Sequence, residues 1–133
     1  MKTKLPTLVE PRCHGRQVSV TANQGIIKSP KNQMGSYYPL DSCIWRLHVA
    51  RGRRILFHFQ ELNIEQTPRC QYDAVRIYDG ISEQGKTAPL VGAFCGSRLP
   101  QTNITTKSNH AEVVFSSDRS IEDKGFVLSY RVV

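Results

Sequence analysis

The feature of this sequence that most limits its fold is a repeated alternation of apolar and polar residues over short segments. Clear examples run from Trp45 to Val49 and from Ile55 to Phe59, and the chain closes with the same pattern from Phe126 to Val132. Alternation with a period of two predicts β-strands that have one buried face. Since no segment keeps the 3.6-residue period of a helix for more than two turns, we predict an all-β protein.

The remaining apolar segments are also short and are separated by turn-forming residues. They predict further strands at 18–21, 26–28, 75–79, 90–94, 102–106 and 111–115. The turn at Arg51–Arg53 predicts that the strands on either side of it form a hairpin. Many short strands with closely spaced turns are typical of a sandwich of two antiparallel sheets, which is the fold that we predict.

The length of the chain predicts one domain. A chain of 133 residues, of which 39% are apolar, is long enough to bury a core but too short for two ordinary domains. We assign residues 1–11 to a flexible arm and 12–133 to the domain. The first residues lack the apolar segment of a signal peptide, which suggests a piece of a longer secreted protein. No apolar run approaches the ~18 residues of a membrane span, so we expect no membrane insertion by this segment.

Cysteine spacing favours disulfides over a zinc site. The sequence has no CxxC pair and no Cys/His cluster with zinc-finger spacing; its cysteines are Cys13, Cys43, Cys70 and Cys95. An even number with long spacings suits two disulfides in an oxidising compartment, and three pairings are possible. Four reduced, buried thiols in a cytosolic protein are the alternative. The sequon that begins at Asn103 predicts N-glycosylation and gives weak support for secretion.

The net charge of +7 makes acidic partners plausible. A heparan-type polysaccharide, an anionic surface and a nucleic acid all fit this charge, but the chain has no basic helix and no basic motif interleaved with aromatic residues. Nucleic acid is therefore the least favoured of the three. Three arginines at one turn are candidates for binding sulfated polysaccharide, and the alternative is an exposed turn that charge keeps soluble; they are Arg51, Arg53 and Arg54.

Acidic residues cluster around the third cysteine. Glu65 precedes Cys70, and Asp73 follows it closely at the start of a predicted strand. A disulfide at Cys70 would hold both carboxylates at the mouth of a loop, where they repel each other unless a proton or a cation lies between them. Ca²⁺ is the usual cation in extracellular proteins. The alternative is that these carboxylates are simply solvated.

Catalytic motifs are absent from the sequence. It contains no GxSxG elbow, no HExxH, no glycine-rich phosphate loop and no unpaired cysteine beside a histidine. We therefore predict a binding module and not an enzyme.

Several motifs in fixed order give the chain a family resemblance. They are the SP…YYP loop before Cys43, the Cys-x-Trp strand, C-x-Y-D…V-x-I-Y-D-G from Cys70, Phe-Cys-Gly at 94–96, F-x-S-D at 115–118 and the closing G-F-x-L-x-Y. Together they resemble a CUB domain from about Cys13 to Tyr130. The resemblance implies a jelly-roll-like sandwich of two sheets with about five strands each. It also implies the disulfides Cys13–Cys43 and Cys70–Cys95, which are the pairings that we predict.

The resemblance further implies a calcium site. Mapped by motif, the ligands are Glu65, Asp73 and Asp118, with a backbone carbonyl near Ser120 as a further ligand. Glu61 is a rival for Glu65, but Glu65 fits the L-x-I-E pattern of calcium-binding members better. A tyrosine of the YYP loop is expected to support the site through a hydrogen bond, and Tyr38 is the better match because it stands next to the proline.

Calcium-binding CUB domains suggest a function for this cluster. The resemblance implies calcium-dependent recognition of an extracellular protein, in which the three acids contact an exposed lysine of the partner. A second hypothesis is calcium-independent binding of heparin-type polysaccharide, as in the related spermadhesins, through the arginine turn. A third is a structural spacer between other domains, without a ligand of its own.

Overall fold

Two β-sheets pack face to face in a computed structural model that describes residues 9–119 and 123–133. The strands within these ranges are β1 (Gln17–Val20), β2 (Gln24–Lys28), β3 (Ser42–His48), β4 (Ile55–Asn63), β5 (Ala74–Asp79), β6 (Leu90–Phe94), β7 (Ile104–Thr105), β8 (His110–Ser116) and β9 (Gly125–Val132). A short 3-10 helix, Pro68–Cys70, precedes β5. Over the described ranges, no helix has the length and apolar character needed to cross a membrane.

The first sheet has five strands in the order β1-β3-β8-β5-β6, and the second has four in the order β2-β9-β4-β7. All pairings are antiparallel except that of β1 with β3. The predicted all-β sandwich is therefore confirmed. Its second sheet has four strands within the described residues, in place of the five that the resemblance implied.

The predicted hairpin between the third and fourth strands is wrong. β3 pairs with β1 and β8 in the first sheet, whereas β4 pairs with β9 and β7 in the second. The turn at Arg51–Arg53 therefore carries the chain from one sheet to the other. Alternation shows which side chains of a strand face the core, but it is the same for a hairpin as for two strands in opposite sheets.

The core lies between the inner faces of the two sheets. Side chains from both sheets are fully buried there, and the largest include Leu47, Phe57, Ile77, Phe115 and Leu128. Burying each side chain of this size stabilises the fold by about 1.5–3 kcal/mol. The packed core fixes the strands, and so it also fixes the positions of the loops at each end of the sandwich.

Two disulfides join the loops to this core. They link Cys13 to Cys43 and Cys70 to Cys95, with sequence separations of 30 and 25. The predicted pairing is therefore confirmed. In the chain-entropy model, each bond stabilises the fold by roughly 3–4 kcal/mol, because it restricts the unfolded chain.

Of the predicted N-terminal arm, residues 1–11, the structure describes only residues 9–11. Glu10 is already held there, since its amide donates to the carbonyl of Lys31 at 3.0 Å and its own carbonyl accepts from the hydroxyl of Tyr38 at 2.5 Å. Contact with the domain thus begins before residue 12, the predicted start of the domain. The assignment of residues 1–8 to a flexible arm lies outside the described residues.

Candidate metal centre

Four strand ends lie at one end of the sandwich. The start of β5 pairs with the end of β8, because Ala74 faces Ser116, and the end of β4 pairs with the start of β9, because Asn63 faces Gly125. The loop after β4, the loop before β5 and the loop after β8 are thereby brought together.

Each of these three loops supplies one acid. Glu65 follows β4, Asp73 immediately precedes β5, and Asp118 follows β8. One carboxylate oxygen from each residue lies within 4.8 Å of the other two. The rival acid Glu61 lies within β4, where its side chain is exposed and outside this cluster. The structure therefore brings together the three acids that the sequence singled out.

Asp73 is the buried centre of this acidic cluster. Its side chain has no exposed surface, and both of its oxygens accept hydrogen bonds: Oδ2 from the hydroxyl of Tyr37 at 2.6 Å, and Oδ1 from the amide of Asp118 at 2.7 Å. Burial raises the pKa of Asp73 and the nearby Asp118 carboxylate adds to this rise, whereas the two hydrogen bonds lower it; the net direction is upward.

Tyr37 connects the acids to each other and to the core. Its hydroxyl donates to Asp73 and accepts from the amide of Glu65 at 3.1 Å, while its ring packs edge-on against Phe115 with the ring centroids 5.2 Å apart. Burial, followed by the hydrogen bond to Asp73, raises the pKa of Tyr37 far above its usual value, although the Glu65 amide opposes this. The hydroxyl therefore stays protonated and remains a donor.

The prediction that Tyr38 supports the site is wrong. The hydroxyl of Tyr38 donates to the Glu10 carbonyl, and the guanidinium of Arg12 lies over its ring, 4.9 Å from the ring centroid. Adjacent residues of an extended segment point to opposite sides, so one tyrosine faces the acids and the other faces away. Nothing in the sequence says which of the two faces the acids.

Glu65 has an oxygen that lacks a donor. Its Oε1 is buried, and no group in residues 9–119 or 123–133 donates a hydrogen bond to it. Burial, then the carboxylates of Asp118 and Asp73, raise the pKa of Glu65. A carboxylate that lies beside two others, and has one buried oxygen without a donor, is stabilised by a cation, and a set of carboxylate oxygens matches the preference of Ca²⁺. The residues present therefore fit a calcium ion, while the predicted backbone ligand at Ser120 lies outside the described residues.

Backbone hydrogen bonds fix the loop that carries Asp118. The carbonyl of Asp118 accepts from the amide of Leu40 at 2.8 Å, and the hydroxyl of Ser117 donates to the carbonyl of Tyr38 at 2.6 Å. This loop is therefore joined to the segment that contains Tyr37. A substitution in either segment should therefore alter the positions of the acids in the cluster.

A second group of possible ligands is not a metal site. Asp41 lies close to the sulfur atoms of Cys13 and Cys43, but those sulfurs are joined in a disulfide. The carboxylate of Asp41 instead accepts the amides of Cys13 at 3.1 Å and His14 at 2.9 Å. Its role is to fix the backbone at the first disulfide.

The arginine turn lies at the other end of the sandwich. All three arginines are exposed, and Nε of Arg53 donates to the carbonyl of Val133 at 3.1 Å. The seven residues of β3 separate this turn from the end that carries the acids, which is a distance of roughly 20 Å. The acidic cluster and the basic turn are therefore separate surfaces.

The predicted glycosylation site is accessible. Asn103 is exposed just before β7, and its Oδ1 lies 2.9 Å from Nδ1 of His58. The contact with His58 is made by Oδ1. The atom that carries an N-linked glycan is Nδ2, so this contact does not occupy it.

Comparison with known sequences places the chain among extracellular modular proteins. The CUB domain family matches it over residues 13–130. Bone morphogenetic protein 1 of Xenopus laevis is 40% identical over 121 residues, which are 91% of this chain and 16% of that protein. Cubilin of Sus scrofa is 34% identical over 118 residues, which are 89% of this chain and 3% of cubilin. The chain thus spans a small part of these relatives.

Solved structures share the fold. The MASP-1 CUB2 domain bound to Ca²⁺ is 30% identical, with a TM-score of 0.69, and the match covers 86% of this chain and 96% of that one. The full extracellular region of zebrafish Gpr126/Adgrg6 is 28% identical with a TM-score of 0.71, over 92% of this chain and 15% of that one.

Proposed function

Because this chain belongs to the CUB domain family, which supplies interaction modules to extracellular proteins, we propose that it binds a protein partner in a calcium-dependent manner. The observation that carries this proposal is the convergence of Glu65, Asp73 and Asp118 from three loops, with a buried Glu65 oxygen that has no donor among the described residues. The calcium-bound MASP-1 domain, which is 30% identical, supports the choice of ion.

The chain's own groups prepare the site for the ion. Glu65, Asp73 and Asp118 would hold Ca²⁺, whose two positive charges offset the repulsion between the three carboxylates. Tyr37 and the amide of Asp118 aim the two oxygens of Asp73, and the Glu65 amide is bound to the same tyrosine. This ordering by protein donors lowers the entropy that the loops would lose on binding.

The charge that remains favours a cationic group on the partner. Three ionised carboxylates and one Ca²⁺ sum to about −1, at one end of a domain whose net charge is +7. A lysine ammonium is compact and offers three donors, so it can contact two fixed carboxylates at once. The partner that we propose is therefore an extracellular protein that presents an exposed lysine.

Burial divides the roles of the three acids. Glu65 and Asp118 are partly exposed, whereas Asp73 has no exposed surface and both of its oxygens already accept hydrogen bonds. The expectation that all three acids contact the partner is therefore corrected for Asp73. In the proposal, Asp73 holds the ion and Glu65 and Asp118 contact the lysine.

Calorimetric titration with Ca²⁺ tests the metal site. We expect one ion per chain with a Kd on the order of 10⁻⁴–10⁻³ M, which is typical of extracellular modules. Asp118→Asn should abolish the binding because it removes a charged ligand. Glu61→Gln is the matched control and should bind normally, since Glu61 is an exposed acid outside the cluster. Equal binding by the Asp118→Asn variant would contradict the site.

An immobilised peptide with one accessible lysine tests the recognition step. Dense coupling of the peptide raises its concentration on the support, so that the retention of a weakly bound domain can be measured. We expect the domain to be retained in calcium, released by chelator, and not retained by the same peptide with its lysine acetylated, because acetylation removes the charge. Retention by the acetylated peptide would exclude lysine as the recognised group, even if calcium binding is intact.

The exposed arginine turn supports calcium-independent binding of sulfated polysaccharide as a second candidate function. Arg51, Arg53 and Arg54 lie far from the acids, so this mode should persist in chelator and weaken steeply with salt. Retention on a heparin column in chelator, lost when the three arginines become alanine, would establish it. Release of the native domain by chelator would exclude it.

A further inference from the structure

Two histidines face each other at the end of the first sheet that is opposite to the acids. His48 is the last residue of β3, and His110 is the first of β8, directly across the antiparallel pair. Their Nδ1 atoms lie 3.0 Å apart, with ring centroids 5.0 Å apart and ring planes at 75°. Both side chains are partly exposed.

The backbone holds this pair from both sides. The β3–β8 ladder fixes it on one side, and on the other the amide of Val49 donates to the Asn109 carbonyl at 3.0 Å while Nδ2 of Asn109 donates to the Val49 carbonyl at 3.1 Å. The amide of His110 also donates to the hydroxyl oxygen of Ser108 at 3.4 Å. The two imidazoles are therefore brought together by the fold before any ligand arrives.

The two Nδ1 atoms lie at hydrogen-bond distance, and which of them carries the proton depends on the tautomer. One nitrogen donates and the other accepts, because two N–H groups cannot point at each other at 3.0 Å. A metal ion bound to both nitrogens would replace that proton. We propose that His48 and His110 form a chelating site for a borderline divalent transition-metal ion, with Cu²⁺ as the preferred ion.

The choice of Cu²⁺ rests on its ligand preference, and the separation of the nitrogens is compatible with it. With metal–nitrogen bonds of ~2.05 Å, a separation of 3.0 Å corresponds to an angle of about 94° at the metal. Square-planar or tetragonal Cu²⁺ prefers angles near 90°, and it also binds nitrogen ligands more tightly than the other divalent ions of the first row.

The surroundings leave the proposed site open. A salt bridge of 3.1 Å joins Arg46 and Glu112, which lie two residues from the histidines on the same strands. Each of these charges already has a partner, so we expect neither side chain to contact the metal ion. Among the residues that the structure describes, no third histidine, cysteine or carboxylate joins the pair. Water, or a donor from a partner, would complete the coordination.

This site is separate from the proposed calcium site in both position and chemistry. The length of β3 lies between them, roughly 20 Å, and the ligands are nitrogens in place of carboxylate oxygens. The two proposals can therefore fail independently of each other.

Titration of the full chain with Cu²⁺ in saturating calcium tests the proposal, because calcium keeps Cu²⁺ away from the carboxylates. We expect one Cu²⁺ per chain and an electron paramagnetic resonance spectrum with hyperfine structure from two imidazole nitrogens. His48→Ala and His110→Ala should each remove one nitrogen from that spectrum and weaken binding. His58→Ala is the matched control, since His58 is an exposed histidine on β4 that contacts Asn103, and it should bind normally.

Nuclear magnetic resonance of the unaltered protein provides a second measurement, which does not depend on how the variants fold. The first Cu²⁺ added should broaden the resonances of His48, Val49, Asn109 and His110 before those of His58. Broadening that begins elsewhere, or spectra of His48→Ala and His110→Ala that match the native one, would overturn the proposal.

Discussion

The hydroxyl of Tyr37 donates a 2.6 Å hydrogen bond to Oδ2 of Asp73, and neither side chain has any exposed surface. Through this bond an aromatic residue of the core supports the most buried acid of the candidate metal centre. The same hydroxyl accepts the amide of Glu65, so the positions of two proposed ligands depend on one phenol group.

Tyr37→Phe should therefore destabilise the fold and weaken calcium binding together. The ring is retained, but a buried Asp73 oxygen loses its donor, which costs about 1–3 kcal/mol. Urea unfolding gives the loss of stability, and calorimetry gives the change in calcium affinity. Tyr38→Phe is the control: its hydroxyl donates to the Glu10 carbonyl and not to the acids of the cluster, so the calcium affinity of this variant should be unchanged. Equal calcium affinity in the native protein and Tyr37→Phe would show that Tyr37 does not support the site.

Calcium should raise the melting temperature. An ion that binds only the folded chain, at a hundredfold excess over its Kd, stabilises it by about 2.7 kcal/mol. Asp73→Asn should abolish the rise, since it removes the charge of the buried ligand, and differential scanning calorimetry in calcium and in chelator measures both. A melting temperature that is the same in calcium and in chelator for the native protein would argue against the site.

Asp79 should make stability depend on pH in the acid range. Burial alone would raise its pKa, but the hydroxyl of Ser108 at 2.7 Å and the amides of Lys107 at 2.7 Å and Ser108 at 3.1 Å donate to its carboxylate, and the pKa of Asp79 is lowered. Its folded pKa thus lies below its unfolded pKa, which is about 3.9. The stabilisation is complete above the unfolded pKa and is lost as the pH falls through the folded one.

Asp79→Asn tests this contribution. At neutral pH it should lower the free energy of unfolding by about 2 kcal/mol, because an amide group then faces the donors that bound a carboxylate. The difference from the native protein should shrink below about pH 4. Denaturant unfolding across that range measures it, with Glu83→Gln, an exposed acid, as a control that should have little effect. A difference that stays constant with pH would contradict the role of the charge.

Gly125 should tolerate no side chain. Its φ is +101°, and a Cβ at this position would overlap Oγ of Ser29, which accepts the amide of Phe126 at 3.2 Å. Gly125→Ala should cost about 3 kcal/mol or more, from backbone strain and overpacking together. Gly35→Ala, with φ +79° and open space around it, should cost only about 1 kcal/mol. Thermal melts compare the two variants, and equal losses would mean that the contact with Ser29 contributes nothing.

Expression through a eukaryotic secretory pathway should add an N-glycan at Asn103, because the residue is exposed and lies in a sequon. Intact-mass measurement before and after glycosidase treatment detects the glycan. Asn103→Gln should remove the mass difference. A single unmodified mass for the secreted native protein would contradict this prediction.

Much of the fold could be predicted from local patterns. The segments around Trp45, Phe57 and Phe126 alternate because one face of each strand contacts the core, and that pattern gave the strands and the sandwich. The family motifs supplied the disulfide pairing that the cysteine spacing alone had left open among three choices. They also pointed to Glu65 in preference to Glu61, and the structure brings Glu65 to the other two acids.

The sequence by itself determined which residues form strands and which acids belong to the motif, because both depend on the order of residues along the chain. Tertiary structure decided that β3 and β4 lie in different sheets, that Tyr37 and not Tyr38 contacts Asp73, and that His48 meets His110. These relationships join positions that are far apart in the sequence. They depend on strand register and on the side to which a loop residue points, and packing of the two sheets sets both.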